Sequence, residues 1–153
     1  MTKQLMKMIF ELDTDWHGYS TESIWVEQTS ANEFRVRNVP WLANGIAWDD
    51  LVGGRPAEGA SIFYFTKVIK HSGYSTFRIA HFGSENDREF QKYWFPLEEL
   101  GCNYEYSKFG KVNLYAIKVP PSAKIDDVYE LLDIGVRDGV WEFDEGYRAQ
   151  ITA

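Results

Sequence analysis

Few residues in this sequence could do chemistry, and they are scattered. One cysteine, Cys102, and three histidines, His17, His71 and His81, are its whole supply of thiol and imidazole. Cys102 follows Gly101 at the end of a helical pattern. There it lacks the positive field of a helix N-terminus that activates a thiolate, and a small buried core residue is expected. No two histidines have a ligand spacing such as adjacent helical turns would give, so structural or solvated imidazoles are expected rather than a metal site. Gly53-Gly54 does not lead into the lysine and hydroxyl residue that a phosphate-binding loop needs. No catalytic residue and no cofactor is expected.

Two polar clusters remain. The first is the turn Ser72-Gly-Tyr-Ser-Thr-Phe-Arg78, flanked by His71. A buried Arg78 requires a carboxylate or several carbonyls, and the hydroxyls of Ser75 and Thr76 could complete such a network. That reading is a polar plug between two parts of the chain. The alternative is a ligand pocket at the junction lined by Trp25, Trp41, His71, Ser75 and Arg78. The second cluster is acidic. Asp126, Asp127, Glu130, Asp133, Asp138, Glu142, Asp144 and Glu145 face only Lys124 and Arg137 between positions 124 and 147. They read either as a solvated helix face and a charge-protected edge strand, or as a docking surface. In the second case Asp126, Asp127, Glu130, Asp133, Glu142, Asp144 and Glu145 steer a basic partner, and Trp141, Phe143 and Tyr147 anchor it.

The elements that must position these residues change in kind near position 73. Before it, short alternating runs at Met8–Leu12, Ser23–Glu27, Glu33–Arg37, Trp48–Val52 and Ser61–Ile69 read as strands, with Gly53–Gly59 as a loop. Asn38-Val-Pro-Trp41 interrupts pairing, because proline has no amide to donate. Five short strands with glycine-rich turns predict a small, strongly bent barrel. After position 73, Thr76–Phe82 is a strand. Ser84 and Asp87 offer a cap to a helix carrying Phe90, Trp94 and Leu97, which Pro96 is expected to kink or divide. Strands at Asn103–Tyr106 and Val112–Val119 flank a tight turn. Ile125, Val128, Leu131 and Leu132 mark a second helix, closed by Gly135 and Gly139, and Val140–Tyr147 is an edge strand or extended cover. The order strand, helix, strand, strand, helix, strand is that of a ferredoxin-like sandwich. The fold class is therefore α+β, with a barrel-like module over residues 1–73 packed on a ferredoxin-like module over residues 74–153.

Composition narrows the partners. Of 153 residues, 44% are apolar, enough for a sizeable core, and the formal net charge of -7 disfavours a sequence-independent binder of nucleic acid. No apolar run approaches the roughly 20 residues that cross a bilayer, and Met1–Lys7 lacks the apolar centre of a signal peptide. A cytoplasmic protein without a disulfide is expected.

Ser23-Ile-Trp25, Asn38-Val-Pro-Trp41, Ser72–Arg78, Leu100-Gly-Cys102, Val119-Pro-Pro121 and Val140-Trp-Glu-Phe143, in that order, resemble a family of small bacterial proteins known as domain of unknown function 4265. Trp41 stands where that pattern has phenylalanine. The resemblance implies the two-part architecture and brings no activity or catalytic residues with it. The expectation for function is a small acidic protein-binding protein, specifically an immunity or antitoxin protein that neutralises a basic toxin such as a nuclease. The alternative is a small-ligand sensor or enzyme using the junction pocket.

Overall fold

The computed structural model describes residues 4–13, 17–57, 61–83 and 87–149. Five strands come first: β1 (Leu5–Glu11), β2 (Thr21–Ser30), β3 (Glu33–Val36), β4 (Leu51–Pro56) and β5 (Ile62–Lys70). Each pairs antiparallel with the next, and a parallel pairing of β1 with β5 closes them into a barrel. Period-two alternation fills it. Met8 and Phe10, Ile24 and Val26, and Phe34 and Val36 are buried inside, while Lys7 and Trp25 point outward.

The fourth strand differs from expectation. It starts at Leu51 and runs through Gly53-Gly54-Arg55-Pro56, the stretch that reads as a loop in the sequence. A Cβ on Gly54 would stand 2.6 Å from Met8 Cε and 3.0 Å from Phe34 Cε1, so the barrel interior has no room for a side chain at that point. The glycines are spacing devices inside a strand, as well as sites of register shift against β5.

The second half follows as β6 (Ser75–His81), α1 (Arg88–Glu99), β7 (Asn103–Phe109), β8 (Val112–Val119), α2 (Ile125–Arg137) and β9 (Glu142–Tyr147). Its sheet has the order β7-β8-β6-β9, with every pairing antiparallel. Both helices cover one face, where Phe90, Trp94 and Leu97 of α1 and Val128 and Leu132 of α2 meet Phe77, Ile79, Tyr115 and Ile117. The expected cap at Ser84 lies outside the described residues. Asp87 is the N-cap, its Oδ1 accepting from Phe90 N at 2.7 Å. That amide bond, and the imidazole of His81 beside it, hold the Asp87 carboxyl below its ordinary range.

Two further details correct the sequence reading. Helix α1 continues through Pro96 to Glu99 as one helix, its last turn held by buried Leu97. Gly135 does not close α2 but lies inside it, under the indole of Trp141. A Cβ there would fall 2.2 Å from Trp141 Cε2. That indole donates to Leu132 O at 3.0 Å, which satisfies its one polar group within the core.

Strands β6 and β8 are buried on both faces, so something must cover the side away from the helices. Residues 37–50, the excursion between β3 and β4, supply the cover. Val39 and Ala47 from the excursion and Leu114 and Ala116 from β8 are buried outside the two main cores. The molecule is α+β, with a closed five-stranded barrel and a four-stranded sheet backed by two helices.

Candidate functional site

Beyond the end of β3 at Val36, around Pro40, which has no amide to donate, the amides at the centre of the excursion must find partners off the ladder. Carboxylates provide them. Glu22 is only 8% exposed and accepts from Trp41 N at 2.7 Å, Leu42 N at 2.9 Å and Ala43 N at 2.8 Å. Asp50 is fully buried. It accepts from Ala47 N at 2.9 Å and Ser72 N at 2.8 Å, and its Oδ2 lies 3.0 Å from His71 Nδ1. Glu105, on β7, accepts from Val39 N. Burial pushes the Glu105 carboxyl above its ordinary range, against the opposite pull of the Val39 amide and of Lys118.

The sheet adds its own contacts. Thr76 Oγ1 donates to Ile46 O at 2.8 Å, Gly45 N donates to Gly146 O at 2.9 Å, and the Lys118 ammonium stands 3.9 Å from the centre of the Trp48 ring. The excursion is thus the fastening between barrel and sheet, and the covalent connection at 71–74 is only one part of it.

Arg78 belongs to this fastening. Its residue is 5% exposed, and its guanidinium donates from Nε to Asp144 Oδ1 at 2.9 Å, from Nη1 to Ala43 O at 3.1 Å and from Nη2 to Asn44 Oδ1. A carboxylate, a carbonyl and an amide oxygen are the partners that a buried guanidinium needs. Gly146 makes room for it, since a Cβ there would stand 3.1 Å from Arg78 Cζ and 3.0 Å from Thr76 Cγ2. The neighbouring hydroxyls do not join the network: Ser75 Oγ accepts from Ala149 N at 2.9 Å, and Thr76 serves Ile46.

Beside Arg78 the excursion and the sheet stand apart, leaving a cleft of about 490 Å³. The end of β1 and the residues after it contribute Glu11, Leu12, Asp13 and His17. The excursion contributes Trp41, Leu42 and Asn44. The sheet contributes Arg78, Ala80, Leu114, Glu142 and Asp144, with Phe82 and Val112 at its margin. Trp41 is steadied by Phe109, 6.2 Å away between ring centres, and Phe109 in turn meets Tyr19 edge-on at 6.0 Å.

The structure divides both sets of residues expected from the sequence. Of the junction set, Trp41 and Arg78 line the cleft. His71 is bound to Asp50 and stacks on Tyr147, with ring centres 4.1 Å apart and planes 11° apart, so these two residues belong to a different corner. Ser75 is buried, and Trp25 stands on the outer barrel wall with Lys7 at 5.2 Å. Burial, together with the charge of Asp50, raises the Tyr147 hydroxyl above its ordinary range.

The acidic set falls on opposite sides of the sheet. Asp126, Asp127, Glu130 and Asp133 lie exposed on α2, while Glu142 and Asp144 look into the cleft. Glu145 turns to the helix side and accepts from the Tyr129 hydroxyl, which burial and this bond push up to about 12. Phe143 packs against Phe77 and Tyr129, and Trp141 is 3% exposed, so neither stands out as an anchor on the surface.

Cys102 is buried, and its thiol is pushed up to about 12 by that burial. His81 lies between Val140 O and Asp87, away from His71. Among the described residues, no group of three His, Cys, Asp or Glu side chains is placed to hold a metal ion. No helix among them is long and apolar enough to cross a membrane.

Sequence reasoning missed Glu11, Asp13, Leu42 and Asn44 of the cleft, and the structural carboxylates Glu22, Asp50 and Glu105. For Glu22 a signal existed. It occupies the same face of β2 as Ile24 and Val26, so the alternation points a carboxylate inward, where it must have donors.

Fold and site together define an α+β protein in which a barrel and a helix-backed sheet enclose an acid-rimmed cleft. The chain belongs to the family described as Domain of unknown function (DUF4265), whose model matches residues 22–143. It is also similar to the protein in "Novel crystal structure of a hypothetical protein from Neisseria gonorrhoeae", with a TM-score of 0.71 at 16% identity over 99% of both chains, a likeness of fold. No protein of curated function matches the sequence.

Proposed function

We propose that this is a binding protein for a basic protein partner, of the immunity or antitoxin kind, acting in the cytoplasm by occupying the partner's anion-binding surface. The observation that carries the reading is that all eight acids between Lys124 and Tyr147 are exposed, although the segment also supplies a core helix and a sheet strand. Charge displayed in this way raises the encounter rate with a cationic surface and makes association sensitive to salt. Phosphate mimicry by carboxylates is the form that fits a nuclease-like toxin.

The second half is read as a ferredoxin-like module beginning at residue 74, on the strength of its antiparallel order β7-β8-β6-β9. It serves as the platform for the acidic helix. The test is copurification of the full chain with the product of the neighbouring gene, repeated with Glu130→Gln and Asp133→Asn. A basic neighbour retained by the native chain, and released several-fold faster or captured several-fold more slowly by the variant, is expected. A neighbour with no affinity for the chain overturns the reading.

A further inference from the structure

The cleft beside Arg78 carries charge and apolar surface in separate places. Leu42, Ala80, Val112 and Leu114 provide apolar lining, and Trp41, held by Phe109, provides an aromatic wall. Four carboxylates, Glu11, Asp13, Glu142 and Asp144, share the same space. The guanidinium that lines it, Arg78, is already bonded to Asp144 and to two further oxygens, so its charge is answered within the fold. Among the described residues, no cation forms an ion pair with Glu11, Asp13 or Glu142. An anionic ligand would meet repulsion here, and a neutral one would gain nothing from the carboxylates. A cation gains from both the carboxylates and the aromatic face. The volume lies within the range of about 300–1,000 Å³ usual for small-ligand sites.

We infer that this cleft is a binding site for an alkyl cation, an alkylguanidinium or alkylammonium group whose stem lies on Leu42, Ala80 and Leu114 and whose head is received by Glu11 and Glu142. The site is distinct from the acidic face of α2, which lies across the sheet, so either can fail alone. The same chemistry has two sources: an arginine or lysine side chain of a bound protein, or a free diamine or guanidine metabolite.

The test is a titration of the full-length protein, followed by two-dimensional amide and indole NMR, with butylguanidinium, with its neutral counterpart butylurea, and with the capped peptide acetyl-Ala-Arg-Ala-amide. Butylguanidinium is expected to shift the Trp41 indole and the amides of Leu12, Asn44 and Leu114, with butylurea at least 10-fold weaker. The double variant Glu11→Gln, Glu142→Gln removes charge from side chains with no structural bond described above, and is expected to weaken binding at least 10-fold while leaving the rest of the spectrum intact. Binding of the peptide as tight as that of butylguanidinium assigns the site to a partner's side chain. Exclusion of the peptide with retention of butylguanidinium assigns it to a free small molecule. Equal binding of butylurea, shifts located elsewhere, an unchanged affinity in the folded double variant, or no shift at millimolar butylguanidinium each overturn the inference. If the double variant is unfolded, Trp41→Ala replaces it, with the same 10-fold expectation and the same reversal if affinity is unchanged.

Discussion

The excursion at 37–50 and the segment at 124–147 both depend on carboxylates, and they use them in opposite ways. Around the excursion, Glu22 and Asp50 are buried, and each accepts at least two backbone amides that have no ladder to join. In the C-terminal segment every acid is exposed and none accepts a converging set of backbone amides, although Asp144 also holds the buried Arg78 guanidinium and Glu145 and Asp138 accept from tyrosine hydroxyls. A carboxylate has about four lone-pair sites, so one side chain can replace the whole missing partner strand of a short loop. The same group left in solvent contributes little to stability and much to long-range potential. Acid content alone therefore distinguishes nothing. What matters is whether amide donors converge on the oxygen.

The sharpest way to break this comparison is Glu22→Ala. It strands three amides beneath the excursion, and the expected loss is about 3 kcal/mol or more, given roughly 1–3 kcal/mol for each buried polar group left unsatisfied. Denaturant unfolding measures it. A loss below about 1 kcal/mol, the usual effect of an ordinary substitution, would mean that the excursion holds itself.

An intermediate effect belongs to Asp87, which is partly exposed and accepts one helical amide. Asp87→Ala is expected to cost about 1 kcal/mol, the usual worth of an N-cap. Its folded carboxyl lies below the ordinary value, chiefly because of the Phe90 amide. Its contribution is therefore fully present above the unfolded carboxylate range and is lost as the pH falls through the folded value. Thermal unfolding of native and variant protein from pH 7 downward should show the two curves converging in acid. Glu105 has the opposite sign: burial raises its folded value, so its contribution is present at low pH and is lost as the pH rises through that value.

The smallest effect is expected on α2. Glu130→Gln and Asp133→Asn should each change unfolding stability by less than about 0.5 kcal/mol, as surface substitutions do. A larger loss would place these acids among the structural carboxylates and remove the contrast.

Much of the architecture is legible in the residues because it follows from periodicity. The alternation in β2 and β3, the helical stripe of Phe90, Trp94 and Leu97, and the apolar run Leu114–Ile117 each report burial through their own spacing. Gly53-Gly54 and Gly135 mislead for a common reason. Glycine ordinarily marks a turn, and only the position of Met8 or of the Trp141 ring shows that it is there to make space.

The candidate site was only half legible. Arg78 calls for a carboxylate by its charge and its place in an apolar strand, but nothing local says that the carboxylate is Asp144, 66 residues away. The sequence by itself determined that the protein is acidic and where most strands and both helices fall, Gly53–Pro56 excepted. Only the tertiary structure decided that Glu142 and Asp144 turn into a cleft while Glu145 turns to the helix side. The physical reason is that successive residues of a strand point to opposite faces. One run of acids is therefore shared between two surfaces, and the cleft needs a second wall, from the end of β1 and the 37–50 excursion, that no spacing within the run can specify.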